Sequence, residues 1–209
     1  MHPSLSIVLP VYNEARIARE IATRVASFAA THPDYELLLV DDGSVDDTTT
    51  ILCEIFTKAR MPNVSLLHYS PHRGKGSAVL FGFQRCGGTF VCFTDGDLIF
   101  PLDYLDRIAE ELKESEVVIG SRSRCRASQG TRNLLRRFFS IGYNWLVRLL
   151  LGLPYVDTQA GLKGLRAESA EWLFPLLRYS TGFSFDVELL FFGKEAGSLS
   201  AFPFPTGIW

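Results

Sequence analysis

The sequence lacks the long apolar segments that mark membrane-spanning and secreted chains. None of its apolar runs reaches the roughly 18 residues that span a bilayer, and the nearest, LVRLLLGL, is short and contains Arg148. The N-terminal stretch MHPSLSIVLPVYNE has neither the basic region nor the long apolar region of a signal peptide. These absences predict a chain that is neither integral to a membrane nor secreted, with a site that faces the cytoplasm.

Cysteine and net charge are also low. The four cysteines, Cys53, Cys86, Cys92 and Cys125, form no C-x-x-C pair, which disfavours a zinc knuckle and a thioredoxin-like motif, so we interpret them as reduced core thiols. With 21 basic and 23 acidic residues the formal charge is -2, and no overall field attracts nucleic acid. We expect no nucleic-acid partner, and an anionic partner must be bound by a local group of residues.

The motifs of several enzyme classes are missing as well. VLPVYNE lacks the glycines of a dinucleotide fingerprint, and HRGKGSAV is not a P-loop because Tyr69 stands where the first glycine would be. There is no G-x-S-x-G elbow. The four histidines, His2, His32, His68 and His72, show neither metal-ligand spacing nor an evident partner, so we expect surface or loop positions for them. Nicotinamide, flavin and nucleophilic serine chemistry are therefore disfavoured.

Segments of strand and helix length alternate through the first part of the chain. The strand-like runs are LSIVLPV, YELLLVDD, NVSLLHYS, FVCFTD and EVVIGSR, and helices are predicted from about 14 to 30, 46 to 60, 75 to 85 and 101 to 114. Continuous apolar strands with helical crossovers predict an α/β fold with a mainly parallel, Rossmann-like central sheet flanked by helices. No linker rich in Pro or Gly divides residues 1–209, so we expect one domain.

Two acidic clusters follow predicted strands. Asp41 and Asp42 end the second strand, and Asp95 and Asp97, separated by Gly96, end the fourth. Open parallel sheets bind ligands at the carboxyl ends of their strands, so the clusters should share one crevice. Neighbouring carboxylates raise each other's pKa unless a cation or hydrogen bonds compensate them, and Mg²⁺ or Mn²⁺ is a suitable cation that substrate phosphates complete. The pattern therefore suggests a metal that holds a diphosphate, with a solvated D-G turn as the alternative.

Other segments suit the rest of such a ligand. Asp41 and Asp42 are placed to accept hydrogen bonds from a nucleoside, whereas Asp46 and Asp47 match ordinary N-terminal helix chemistry. HRGKGSAV brings Lys75 and glycines to a helix start, which suits phosphate.

A further helix, at about 132–151, is predicted to be amphipathic. One arc carries polar residues and the other carries Phe, Trp and Leu; the polar arc comprises Arg132, Arg136, Arg137, Ser140, Asn144 and Arg148. The apolar arc suits packing on the protein core, contact with lipid, or both.

Eight segments, taken in order, resemble one known family. They are VLPVYNE, DDGSVDDT, RGKGSAV, FTDGDL, GSR, RRFFSIGYNWLVRLLLGLP, DTQAGLKG and GFSFDVELL. The series resembles the family 2 glycosyltransferases of GT-A fold, and among them the polyprenyl (dolichyl) phosphate hexosyltransferases, over residues 7–190. The resemblance implies a nucleotide-sugar-binding part at 1–120 and an acceptor-side part at 121–209.

The resemblance also implies roles for individual residues. Asp95 and Asp97 would bind Mg²⁺ or Mn²⁺, and Asp97, Asp157 and Arg122 would take part in catalysis. The residues that would contact the nucleotide sugar are Pro10, Tyr12, Glu14, Asp42, Lys75, Asp95 and Gln159. Those that would bind the acceptor phosphate are Arg136, Arg137, Ser140 and Asn144.

The implied reaction is an inverting transfer of a hexose from a nucleotide diphosphate to a polyprenyl phosphate, by a protein peripheral to the cytoplasmic face of a membrane. The last two motifs favour UDP-glucose over GDP-mannose. A phosphate acceptor with a second pKa near ~6 is already ionised at neutral pH and needs no general base, although Asp157 could position it or serve as one.

The sequence leaves two alternatives open. One is a transferase of the same fold that acts on a polysaccharide or protein hydroxyl, and the other is a non-catalytic nucleotide-sugar-binding protein. The second draws on a departure from the family, which often reads D-A-D-L-Q with a metal-assisting glutamine where this chain has Ile99. The family also commonly continues past the position of the final segment, FPFPTGIW.

Overall fold

Strands and helices alternate in the computed structural model, which describes residues 2–98, 100–121, 161–177, 182, 185–195 and 199–203. The first nine elements are β1 (Leu5–Val11), α1 (Ala18–Thr31), β2 (Tyr35–Asp41), α2 (Thr48–Ala59), β3 (Val64–His68), α3 (Lys75–Phe83), β4 (Phe90–Phe93), α4 (Tyr104–Glu111) and β5 (Val117–Ser121). They are followed by β6 (Lys163–Arg166), α5 (Ala167–Leu173), a 3-10 helix (Phe174–Leu176), α6 (Phe185–Glu195) and β7 (Leu199–Pro203).

The strands form one seven-stranded sheet in the order β3-β2-β1-β4-β6-β5-β7. All described pairings are parallel except those of β6, which runs antiparallel to both β4 and β5. The mainly parallel α/β sheet predicted from the apolar runs is confirmed. The antiparallel β6 was not predicted, because its four residues KGLR do not form an apolar run. Segments on both sides of residue 121 thus share one sheet.

Apolar side chains cover both faces of this sheet. On one face, α1, α2 and α4 pack through residues such as Val25, Leu52 and Ile108, all fully buried. On the other face, α3, α5 and α6 pack through residues such as Val79 and Leu173. Because β1 and β2 lie between the two helical layers, their side chains are buried on both faces, which explains their uninterrupted apolar sequences.

Helix α1 begins later than the sequence indicates. The predicted start was residue 14, but Ala18 is the first helical residue. Asn13 adopts a left-handed backbone conformation with φ of 53°. The N–H of Glu14 donates to Thr48, the first residue of α2, and that of Ala15 donates to Asp46 in the loop before it. Contacts with a neighbouring loop therefore keep residues 14–17 out of the helix.

Two adjacent glycines before β4 differ in the space around them. A Cβ on Gly88 would lie 2.7 Å from both the backbone nitrogen and the Oγ of Ser6, whereas a Cβ on Gly87 would make ordinary contacts, at 3.6 Å with Pro3 and 4.0 Å with Glu36 Oε2. Gly88 also donates its N–H to Ser6 Oγ at 2.8 Å. The first strand can therefore approach this loop only because residue 88 has no side chain.

Gly88→Ala should lower the free energy of unfolding by about 1 to 3 kcal/mol, because the new methyl group displaces the backbone of β1. Gly87→Ala is the matched control and should change it by less than about 0.5 kcal/mol. Urea unfolding followed by far-ultraviolet circular dichroism measures both. Equal stability of the two variants would contradict this account of the close approach.

Candidate functional site

The ends of four strands meet at one edge of the sheet. Val11, Asp41 and Phe93 end β1, β2 and β4, and the register places Lys163, the first residue of β6, beside Phe93. Asp42 follows β2 directly and Asp95 follows β4 after Thr94, so the two residues lie on either side of β1. The two acidic clusters therefore lie at the same edge, as predicted.

The loops after β1 and β2 are joined by hydrogen bonds. The N–H of Asn13 donates to Ser44 Oγ at 2.9 Å, and the N–H of Val45 donates to Asn13 Oδ1 at 3.0 Å. Asp46 accepts from the N–H of Ala15 at 3.1 Å and from that of Thr48 at 3.0 Å. VLPVYNE and DDGSVDDT thus form one structural unit, and Asp46 has the structural role that the sequence indicated.

Asp41 is fully buried within this unit. Its carboxylate accepts hydrogen bonds from the Ser44 N–H at 3.0 Å, from the Thr49 hydroxyl and from His68 Nδ1 at 2.9 Å. Burial alone would raise the pKa of Asp41, but these donors hold it below its ordinary value of 3.8. The prediction that Asp41 accepts hydrogen bonds from a nucleoside is therefore wrong, since its oxygens are engaged and inaccessible.

Asp42 is also buried, with 1% of its surface exposed. Its Oδ1 accepts hydrogen bonds from the Tyr69 hydroxyl at 2.5 Å and from the Arg73 N–H at 2.8 Å. Its Oδ2 lies 2.9 Å from His72 Nδ1, and the His72 ring stacks on Tyr12 with centroids 3.9 Å apart. Asp42 thus lies behind an aromatic pair whose outer member, Tyr12, is 38% exposed.

His68 and His72 were expected to be surface or loop residues without an evident partner. Both have exposed surface, but each lies 2.9 Å from a carboxylate at the end of β2, His68 from Asp41 and His72 from Asp42. The part of that expectation that denied them partners is wrong. Pairing between residues 27 or 30 positions apart leaves no local signal in the sequence.

Carboxylates gather at the mouth of the crevice. Burial, and then the charges of Asp97 and Asp46, raise the pKa of Glu14. Pro10 is half-buried at the end of β1, and Asp97 is exposed. Glu14 and Asp97, which come from different loops, are therefore close enough to repel each other.

A series of side chains with alternating charge extends from Asp95 into the core. Lys75 Nζ lies 2.8 Å from Asp95 Oδ1 and 3.2 Å from Asp186 Oδ2, and Asp186 Oδ1 lies 2.6 Å from Lys163 Nζ. Burial would raise the pKa of Asp186, but Lys163 and Lys75 hold it below its ordinary value. Burial would lower the pKa of Lys75, but Asp186 and Asp95 raise it. Asp186 and Lys75 are therefore both charged at neutral pH.

Gly161 lies against the Asp95 side chain. A Cβ there would be 1.8 Å from Asp95 Oδ2, and the Gly161 carbonyl accepts the N–H of Asp95 at 3.1 Å. Gly161 of the DTQAGLKG segment therefore contacts Asp95 directly, and Lys163, two positions later, reaches it only through Asp186 and Lys75.

The acidic motif, which consists of Asp95 and Asp97, is suited to a hard divalent cation. In the part of the chain that the structure describes, no group of three or more metal-ligating side chains is gathered. Mg²⁺ does not require one, because it commonly uses one or two carboxylates together with water and substrate phosphates. Asp95 and Asp97 would supply those carboxylates, and the pKa of nearby Glu14 is raised first by burial and then by the charges of Asp97 and Asp46.

Several predicted residues lie outside the described ranges. They are Ile99, Arg122, Arg136, Arg137, Ser140, Asn144, Asp157 and Gln159, together with the amphipathic helix at about 132–151. Their roles stay predictions. Conversely, Lys163 and Asp186 had no predicted role, although a charged residue within each of two otherwise largely apolar motifs, GLKG and FSFDVELL, was an available signal.

A family model described as glycosyl transferase family 2 matches residues 6–174. The chain belongs to this family. It is 31% identical to the dolichyl-phosphate beta-glucosyltransferase of Saccharomyces cerevisiae, over 89% of this chain and 61% of that protein. It is 32% identical to the undecaprenyl-phosphate 4-deoxy-4-formamido-L-arabinose transferase of Pseudomonas fluorescens, over 78% of this chain and 46% of that protein. Thus the chain spans about three fifths of the length of the dolichyl-phosphate relatives.

Solved structures that resemble this chain have the same fold. Glucosyl-3-phosphoglycerate synthase from Mycobacterium tuberculosis, solved with Mn²⁺, UDP and phosphoglyceric acid, superposes with a TM-score of 0.66 at 20% identity, over 96% of this chain and 68% of that one. The expected GT-A fold is confirmed. No helix among the described residues combines the length and the apolar character needed to cross a membrane.

Asp41→Asn should lower the free energy of unfolding at pH 7 by about 2 to 3 kcal/mol, because an amide cannot accept from all of the buried donors. Since folding lowers the pKa of Asp41, its contribution is complete above pH 3.8 and is lost as the pH falls through the lowered pKa. The difference between wild type and variant should therefore shrink below pH 3.8 in urea titrations. Asp47→Asn, at an exposed position six residues later, is the control, and a pH-independent difference for Asp41→Asn would contradict the assignment.

Proposed function

We propose that this chain is an inverting, metal-dependent glucosyltransferase that moves glucose from UDP-glucose to a polyprenyl phosphate at the cytoplasmic face of a membrane. The family supports glycosyl transfer, and curated relatives from several organisms are named dolichyl-phosphate beta-glucosyltransferases. The observation that carries the proposal is the acidic motif at the strand-end crevice, where Asp95 and Asp97 lie at the same edge as the Lys75 ammonium group.

In this proposal, the two parts of the donor bind on two sides of the crevice. On one side, Pro10, Tyr12 and Glu14 line the nucleoside pocket, and Asp42 supports it by holding His72 against Tyr12. On the other side, Asp95 and Asp97 bind the metal. Mg²⁺ or Mn²⁺ supplies positive charge that stabilises the departing diphosphate. Lys75, at the start of α3, adds a second positive charge beside it.

The acceptor side of the proposal rests on sequence. Arg122 with Arg136 or Arg137 would bind the polyprenyl phosphate, and Ser140 and Asn144 would lie on the same helix face. Asp157 and Gln159 would contact the sugar or that phosphate. An ionised phosphate oxygen can attack the anomeric carbon without a general base. A hydroxyl acceptor would need one, which makes the acceptor the feature that separates this function from transfer to a polysaccharide or a protein.

Incubation with labelled UDP-glucose, Mn²⁺ and a polyprenyl phosphate should yield label that extracts into organic solvent. Asp97→Asn should reduce this product at least about 100-fold, because it removes one metal ligand. Asp103→Asn, six residues later and also exposed, is the matched control and should retain activity. Parallel reactions with GDP-mannose and with a polysaccharide acceptor identify the donor and the acceptor. Label transferred without any lipid phosphate would refute the proposed acceptor.

Gly161→Ala should weaken UDP binding in the presence of Mn²⁺ by at least about tenfold, because the new methyl group would overlap Asp95 Oδ2. The fold should persist, since the displaced atoms belong to the end of a side chain. Isothermal calorimetry measures the affinity, and thermal unfolding checks the fold. Gly87→Ala, whose new Cβ would make only ordinary contacts, is the control. A Gly161→Ala variant with wild-type affinity would show that the Asp95 position is unimportant for the donor.

A further inference from the structure

Asp186 is almost inaccessible and has a separate lysine for each of its oxygens. Its side chain is 3% exposed, its Oδ1 lies 2.6 Å from Lys163 Nζ, and its Oδ2 lies 3.2 Å from Lys75 Nζ. Lys163 is fully buried and Lys75 is 13% exposed. A carboxylate with both oxygens engaged by ammonium groups is poorly suited to remove a proton from a substrate. Its geometry instead fixes the two lysines relative to each other.

The four charged groups come from four separate parts of the chain. Asp95 follows β4, Lys75 begins α3, Asp186 is in the first turn of α6 and Lys163 begins β6. Exposure rises along the series from Lys163 at 0% through Asp186 and Lys75 to Asp95 at 29%. The Nζ atoms of both lysines lie 5.4 Å from the centroid of the Phe93 ring, which lies two residues before Asp95. The series therefore runs without interruption from the core to the crevice.

We infer that Asp186 is a positioning residue that holds the Lys75 ammonium group against Asp95, so that both face the donor diphosphate and its metal in a fixed arrangement. Lys75 forms two described ion pairs, one with Asp95 and one with Asp186. Without Asp186, only the pair with Asp95 would remain of these two. Its long side chain would then be free to adopt other rotamers, and Asp95 would lose its fixed partner. The inference rests on the proposed function for its consequence, but the placement of Lys75 can be tested independently.

Two variants separate positioning from a merely structural role. Asp186→Asn removes the carboxylate that lies 2.6 Å from the buried Lys163 ammonium group, so the melting temperature of this variant should fall by several degrees. The double variant Lys163→Met with Asp186→Leu removes the buried pair without changing the net charge, and apolar replacements of buried ion pairs are often neutral or stabilising. Its melting temperature should return close to that of the wild type. In both variants, Lys75 has lost its ion pair with the carboxylate of residue 186.

The first readout is the reactivity of Lys75 toward acetic anhydride, measured by mass spectrometry on the full chain without ligand. Acetylation of Lys75 should increase at least about fivefold in both variants, because the amine is no longer held between two carboxylates. Lys58 and Lys113, which form exposed pairs with Glu54 and Glu110, serve as internal controls and should not change. Unchanged Lys75 reactivity would overturn the inference.

The second readout is the affinity for UDP with Mn²⁺, measured by calorimetry. It should fall at least about tenfold in the double variant although its stability is restored. Asp106→Asn, which alters a first-turn aspartate of α4 on the surface, is the matched control. Recovery of both stability and affinity in the double variant would reduce Asp186 to a structural role and overturn the inference. A wild-type protein that binds no UDP, with Lys75 still more reactive in the variants, would instead refute the proposed function and leave the positioning of Lys75 supported.

Discussion

The structure depends on how negative charge is compensated at the carboxyl ends of its strands. Asp41 and Asp42 are compensated by neutral donors and by histidines, and their carboxylates are almost completely buried. Asp95 is compensated by Lys75, which is itself held by Asp186. Burying such charges is costly unless each is paired and hydrogen-bonded. Asp41 and Asp42 therefore stabilise the loops around the crevice, whereas Asp95 keeps part of its side chain exposed to solvent.

The sequence predicts well what depends on local patterns. Continuous apolar runs identified the strands β1 to β5 and hence the edge at which Asp42 and Asp95 meet. Contacts between distant segments were harder to predict from the sequence. The late start of α1 depends on hydrogen bonds to Asp46 and to Thr48 at the start of α2, and the Lys75 to Asp186 pair joins residues 111 positions apart. A polar residue in an apolar segment signals that such a partner exists, but it does not identify the partner.

Membership of glycosyl transferase family 2 gives these charges a chemical purpose. An exposed aromatic ring, a pair of acidic residues and a fixed ammonium group at one edge suit the three parts of a nucleotide sugar: a flat base, a metal-bound diphosphate and the bond that breaks. The aromatic pair of Tyr12 and His72 is supported from behind by Asp42, and Asp95 is supported by Lys75. In both cases a group at the surface is oriented by a more buried one, which limits the motion available to it before a ligand arrives.

The insertion of antiparallel β6 between β4 and β5 has a consequence for how this protein can evolve. Ser121, at the end of β5, and Gly161, just before β6, lie at the edge of the sheet that carries Asp95. The 39 residues between them therefore leave and rejoin the scaffold beside the crevice, with both anchors set by the sheet. Such a segment can be exchanged or lengthened without altering strand order. Variation in this segment can therefore accumulate while the strands that lead to Asp42 and Asp95 are inherited intact.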